Sequence, residues 1–149
     1  MIINFIVKLK DKPQIKQKFL QKIIRQTVLV LKFKKKFGLT VLLVGDKQIK
    51  DLNKKYRQKN EITDVLSFSQ KEGDGFPLPQ KEKNYLGEII ICYPQLKRQA
   101  KLFKQTEEKE FALLLIHGFL HLLGLDDQTR SGYKKMEKLQ TKILARIYD

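Results

Sequence analysis

The only two histidines of the chain, His117 and His121, stand four positions apart in "HGFLHLLGLDD", residues 117–127. Residues at that spacing on an α-helix lie one above the other on the same face, so both imidazoles can reach one ion. Gly124 lets the chain leave the helix and turn back, bringing the carboxylate of Asp127, ten positions after His117, within reach as a third ligand. Asp126 stands beside it as an alternative, and the spacing favours Asp127. Two histidines and a carboxylate form a catalytic-zinc ligand set with water in the fourth position, whose pKa the metal lowers toward about 7. A bare H-x-x-x-H is also compatible with two helix histidines and no metal. One zinc ion per chain is the better expectation, because the helix is otherwise apolar and unpaired imidazoles there would be costly.

The spacing H-x-x-x-H-x-x-G-x-x-D is similar to that of the metzincin peptidases, some of which also end in Asp. Their first histidine is followed by the glutamate that acts as general base; here that position is Gly118. Peptide hydrolysis is therefore a remote reading.

The elements that must hold these residues follow from periodicity and turn chemistry. Residues Ile2 to Leu9 alternate loosely and are β-branched, a first strand. Pro13 suits a first helical turn, and Ile15, Phe19, Ile23, Ile24, Val28 and Leu31 keep helical spacing up to the basic "KFKKKFG". "LTVLLVG", from Leu39, is a strand apolar on both faces. Asp46 can N-cap a helix through Arg57 that carries Ile49, Leu52 and Tyr56 on one side. "DVLSFS" is a short strand in which Thr63 and Asp64 cap the turn and Ser67 alternates outward; "QKEGDGFPLPQKEKN" is a loop, and "YLGEIIICY" a fourth strand. Pro94 opens a short basic helix, and Thr106 with Glu107 and Glu108 starts the long apolar helix that carries the histidines. A last helix, about Arg130 to Tyr148, turns Met136, Leu139, Ile143, Leu144 and Ile147 inward. This order predicts an α+β fold over a single domain, residues 1–149, with a small mixed four-stranded sheet packed with about five helices.

Charge indicates the partner. Lys and Arg number 31 against 16 acids, a formal net charge of +15, and glutamate does not rise with lysine as it does on some thermophile surfaces. The excess points to a polyanion, nucleic acid first. Lys54, Lys55, Lys97, Arg98, Lys101 and Lys104 are candidates for non-specific contact with such a polyanion. No stretch approaches the roughly 20 apolar residues that span a bilayer, and the lone Cys92 fits a reducing compartment and a buried core position, so a cytoplasmic protein with no membrane partner is expected.

Several blocks resemble one family. "HGFLHLLGLDD" resembles the H-G-x-L-H-L-x-G-Y-D-H signature of the YbeY endoribonucleases, the bacterial rRNA maturation factors. "LNKKYRQKNEITDVLSF", Leu52 to Phe68, is similar to that family's L-N-x-x-Y-R-x-x-x-x-x-T-D-V-L-S-F block, "LGEIII" to its L-G-D-I-x-I strand, and Met136 with Glu137 to the helix after the metal site. The resemblance spans about Leu39 to the C-terminus; the N-terminal strand and helix match in pattern only. It implies a zincin-like fold, a bound zinc and cleavage of single-stranded RNA, without DNA specificity. It further implies maturation of the small-subunit rRNA 3′ end, ribosome quality control and contacts with small-subunit components. The zinc ligands it implies are His117 and His121, with Asp127 in the third histidine's place; Arg57 matches the family's functionally important arginine, and Glu88 its acidic strand position. Leu125 replaces the usual tyrosine, and a carboxylate at 127 is a harder, more negative ligand than histidine.

The leading expectation is metal-assisted RNA hydrolysis, with Arg57 gripping the scissile phosphate and Lys54 and Lys55 adding substrate contacts. The alternative is a non-catalytic RNA-binding assembly factor with a structural zinc. The general base is not identified by the sequence.

Overall fold

The computed structural model describes residues 1–70 and 84–148. The loop expected over residues 70–84 lies, its two end residues apart, outside them. The described elements are β1 (Ile2–Val7), α1 (Gln17–Leu31), β2 (Gly38–Val44), α2 (Asp46–Arg57), β3 (Val65–Ser69), β4 (Tyr85–Cys92), α3 (Tyr93–Leu102), α4 (Glu107–Leu122) and α5 (Arg130–Tyr148). This is the expected α+β arrangement: a mixed four-stranded sheet and five helices.

The strands lie in the order β1-β2-β4-β3. β2 is parallel to both β1 and β4, while β3 runs antiparallel along the outer side of β4. The all-apolar β2 is buried at every position because it sits inside the sheet with both faces covered. On one face Leu39, Val41, Leu43, Ile89 and Ile91 pack with α1, α4 and α5; on the other, Leu42, Val44, Phe68, Ile90 and the buried Cys92 pack with Ile49 of α2. Helix α4 lies in the larger core, with Phe111, Leu115, Ile116, Phe119 and Leu120 fully buried. Its apolar run thus needs no amphipathic face. Its start is set by Thr106, whose hydroxyl accepts the Lys109 N–H at 3.1 Å, with three glutamates in the first turn favouring the positive end of the helix dipole.

Three local expectations are corrected. Pro13 does not enter a helix: the chain is irregular up to Lys16, Ile15 is buried in the core, and α1 starts only at Gln17. Asp46 does not cap α2. Gly45 is the N-cap, with its N–H donating to Gln48 Oε1, and the Asp46 carboxylate instead pairs with Arg98 at 2.7 Å. That guanidinium, more than the Cys92 thiol beside it, holds Asp46 below its ordinary value, so Arg98 is engaged in tying α3 to α2. Finally, Ser67 does not simply face outward. It is half-buried, and its hydroxyl donates to the Gly118 carbonyl at 3.2 Å, joining β3 to α4.

Candidate metal centre

Both histidines sit in the last two turns of α4, at the end that emerges beside β3. Their Nε2 atoms are 3.0 Å apart, and Asp127 Oδ2 lies 3.7 Å from that of His117 and 3.9 Å from that of His121. The return path is fixed by backbone geometry. Gly124 takes φ +93°, the Gly124 N–H donates to the His121 carbonyl, and the Leu125 N–H reaches back to the Leu120 carbonyl at 3.1 Å. These bonds satisfy helix-end carbonyls in a left-handed stop that glycine adopts without strain. Past the turn, Asp126 Oδ1 accepts the Gln128 N–H at 2.8 Å, and the Gly132 N–H donates to Thr129 Oγ1. Asp126 thus braces the turn, and Asp127 is the carboxylate that faces the histidines. Gly132 must stay bare here, since a Cβ on it would lie 2.1 Å from the Asp126 carbonyl oxygen.

The donor set fits a metal ion. Ligands at about 2.0–2.1 Å from a tetrahedral zinc lie about 3.3 Å from one another, and the three separations here bracket that value. The ligand atoms of His117, His121 and Asp127 can therefore converge on one small divalent ion by shifts well under an ångström. Burial holds His117 below the ordinary histidine pKa and the neighbouring His121 adds to this, while Asp127 and Asp64 oppose it. The neutral ring is the form that ligates.

His117 has a further partner. Gln140 of α5 stands 2.8 Å from its Nδ1 through the amide nitrogen. With Nε2 turned to a metal, Nδ1 carries the proton, and the amide meets it with its oxygen after a half-turn. Gln140→Leu should weaken metal affinity about 10–100-fold, as loss of such a partner does. Gln140→Glu, which keeps an acceptor, should retain most of it. Competition against a chromophoric chelator measures both.

Gly118 has a steric role beyond the absence of a base. A Cβ there would lie 2.7 Å from Ile89 Cγ2 and 3.1 Å from Ser67 Oγ, so α4 rests directly on β3 and β4. A peptidase's glutamate has no room. Gly118→Ala should cost about 1–3 kcal/mol, read as a melting temperature lower by about 2–4 °C per kcal/mol.

The histidines and Asp127 line an open cleft of about 580 Å³ together with Arg57, Asp64, Ser67, Ser69 and Gln128. Arg57, at the end of α2, donates from Nη2 to the Ser67 carbonyl at 2.6 Å, and its guanidinium lies 4.7 Å from the centre of the Phe68 ring. Asp64, on the same cleft, accepts from the Val65 N–H through Oδ1 and from Gln99 through Oδ2.

A family model described as Endoribonuclease YbeY matches residues 5–148. The chain belongs to the YbeY family. The match reaches back through α1 to Phe5, well before the Leu39 at which motif resemblance alone begins. The endoribonuclease YbeY of Dehalococcoides mccartyi strain CBDB1 is 40% identical over 148 residues, covering 94% of this chain and 89% of its own. That of the Aster yellows witches'-broom phytoplasma is 41% identical and covers 78% of each chain. A Thermotoga maritima protein solved in solution superposes with a TM-score of 0.64 at 28% identity, over 99% of this chain and 89% of that one.

On this YbeY scaffold four of the residues singled out in the sequence, His117, His121, Asp127 and Arg57, share one cleft. Lys54 and Lys55 do not line it; they are exposed on α2, with Lys55 Nζ 5.3 Å from the Tyr56 ring. Glu88 is fully buried in β4, where its register partners are Thr40 and Phe68, away from the cleft lining. Gln140 was missed, although a signal existed: it stands four residues after Met136 and three before Ile143, a polar residue on the inward stripe of α5. Asp64 was read as a turn cap, and only the fold brings it to the histidines.

Proposed function

We propose that this protein is a zinc-dependent endoribonuclease, one ion per chain, that cuts single-stranded RNA. Its role is maturation of the small-subunit rRNA 3′ end and ribosome quality control in the cytoplasm, in contact with small-subunit components. In this reading residues 1–149 form one domain of zincin-like type. The observation that carries it is the convergence of two histidines, a carboxylate and an arginine on one open cleft in a chain of a family described as endoribonucleases.

His117, His121 and Asp127 would hold the zinc ion, which would supply Lewis acidity at a phosphoryl oxygen and a lowered pKa for water. The chain's own residues do the rest. Burial of His117 favours its neutral ring, and Gln140 orients it. Arg57, pinned by the Ser67 carbonyl and the face of Phe68, meets a phosphate in one orientation with its planar fork. Asp64 shares the cleft as a further carboxylate, its Oδ1 held by the Val65 N–H and its Oδ2 by Gln99. The openness of the cleft suits a flexible polymer, and the formal charge of +15 draws it in. No described helix is long and apolar enough to cross a membrane.

A labelled single-stranded RNA should be cut by the purified protein, cutting should stop with chelator, and added zinc should restore it. Cutting that persists in chelator belongs to a contaminant. A protein that binds the RNA, holds zinc and never cuts is the assembly factor with a structural metal.

A further inference from the structure

A second cleft of about 620 Å³ adjoins the metal cleft, the two sharing Ser69, Leu122, Gly124 and Leu125. Its size falls within the roughly 300–1,000 Å³ typical of small-ligand sites. The remaining wall comes from the chain after α1 and from the start of β4, and it combines aromatic rings with cations: Phe33, Tyr85, Lys35 and Lys36. The local fold fixes these groups. Lys32 adopts a left-handed conformation at φ 55°, and the Phe33 N–H returns to the Val28 carbonyl at 3.0 Å. Phe33 is thereby set edge-on to Phe37 with centroids 5.5 Å apart, and Phe37 in turn packs on Phe119 of α4. Tyr85 contributes from the start of β4, its side chain turned across the sheet so that its hydroxyl donates to Thr40 Oγ1 at 2.8 Å. Lys35 and Lys36 are exposed, and among the described residues neither has an ion-pair partner.

We propose that this cleft is a nucleotide subsite for the RNA strand flanking the scissile bond. A base lies against Phe33, and the adjoining phosphates lie on Lys35 and Lys36. This rests on the nuclease reading and deepens it by naming where the substrate goes on leaving the metal. A rigid aromatic face beside cations is what a single strand requires, because every base offers a π-face and every linkage a charge. Continuity through Ser69 and Gly124 gives the strand an unbroken path from the histidines. Gln70 and Asn84 also line this cleft and offer side-chain amides to a base edge.

The test compares a dinucleotide, too short to span both clefts, with a single-stranded RNA ten-mer, using wild type, Lys35→Ala/Lys36→Ala and Phe33→Leu. Phe33→Leu keeps an apolar side chain against Phe37, and thermal melting checks that each variant is folded. Wild type should favour the ten-mer in kcat/KM, and each folded variant should lose about tenfold of that preference. The double variant's ten-mer affinity, followed by fluorescence anisotropy, should depend less steeply on salt, by about 1.4 in log–log slope for two phosphate contacts at about 0.7 each. An unchanged preference and an unchanged salt slope overturn the subsite and leave the cleft to a protein occupant. If wild type cuts neither substrate, the nuclease reading fails by itself. The subsite then stands or falls on whether the double variant loses about tenfold in ten-mer affinity.

Discussion

Protein purified from zinc-replete medium should carry about one zinc per chain, and His117→Ala or His121→Ala should carry less than about a tenth of that. Each substitution leaves two donors on a site that holds three, and a chelate of two weakly positioned groups does not compete with buffer and water. The loss should exceed the roughly 100-fold that follows from removing only a ligand's hydrogen-bond partner. Metal analysis by mass spectrometry after gel filtration reads it directly. Both variants should still fold, because the core around α4 is built from Phe111, Leu115, Ile116, Phe119 and Leu120, all upstream of or turned away from the imidazole face. Asp127→His, which installs the residue that the family motif carries there, should hold zinc at least as tightly as wild type. If both histidine variants retain stoichiometric zinc, the metal lies elsewhere.

Arg57→Ala should lower kcat/KM on single-stranded RNA by about 10²–10³-fold, the scale on which losing one preorganised donor to a developing anion is felt. Arg57→Lys should recover only part of this, since an ammonium is a point charge that cannot reproduce the planar fork. Arg57 also braces β3 through the Ser67 carbonyl and Phe68, so a separate readout is needed. Zinc content should stay near one per chain, and the melting temperature should fall by only the few degrees that one lost hydrogen bond and one stacked cation justify. A variant that melts lower yet cuts at the wild-type rate would make Arg57 a brace alone.

Much of this molecule is legible along the chain because the signals are local and periodic. The start of α4 is written in Thr106 and its following glutamates, its burial in the run from Phe111 to Leu123, and its end in Gly124. Pro13 and Asp46 misled for a related reason: each is a good helix-start residue by type. Burial of Ile15 delays α1, and Arg98, 52 residues away, takes the Asp46 carboxylate. Ser67 likewise alternates correctly with its neighbours, yet its hydroxyl is claimed by a carbonyl 51 residues on.

The amino-acid sequence by itself determined that two imidazoles share one helical face, because 3.6 residues per turn stacks positions four apart, and that a carboxylate returns to them past a glycine. It also determined the class of fold and the pull toward a polyanion. The spacing alone favours Asp127 over Asp126; in the folded chain Asp126 is taken by the Gln128 N–H and Asp127 faces the histidines. Only the tertiary structure set Gln140 of α5 behind His117, put Arg57 and Asp64 on the cleft, and left Lys54 and Lys55 off it. Periodicity carries information over a few turns. Which side chain meets which across the sheet depends on strand order and on how closely α4 approaches Ile89 over a bare Gly118, contacts between residues far apart along the chain that no local pattern encodes.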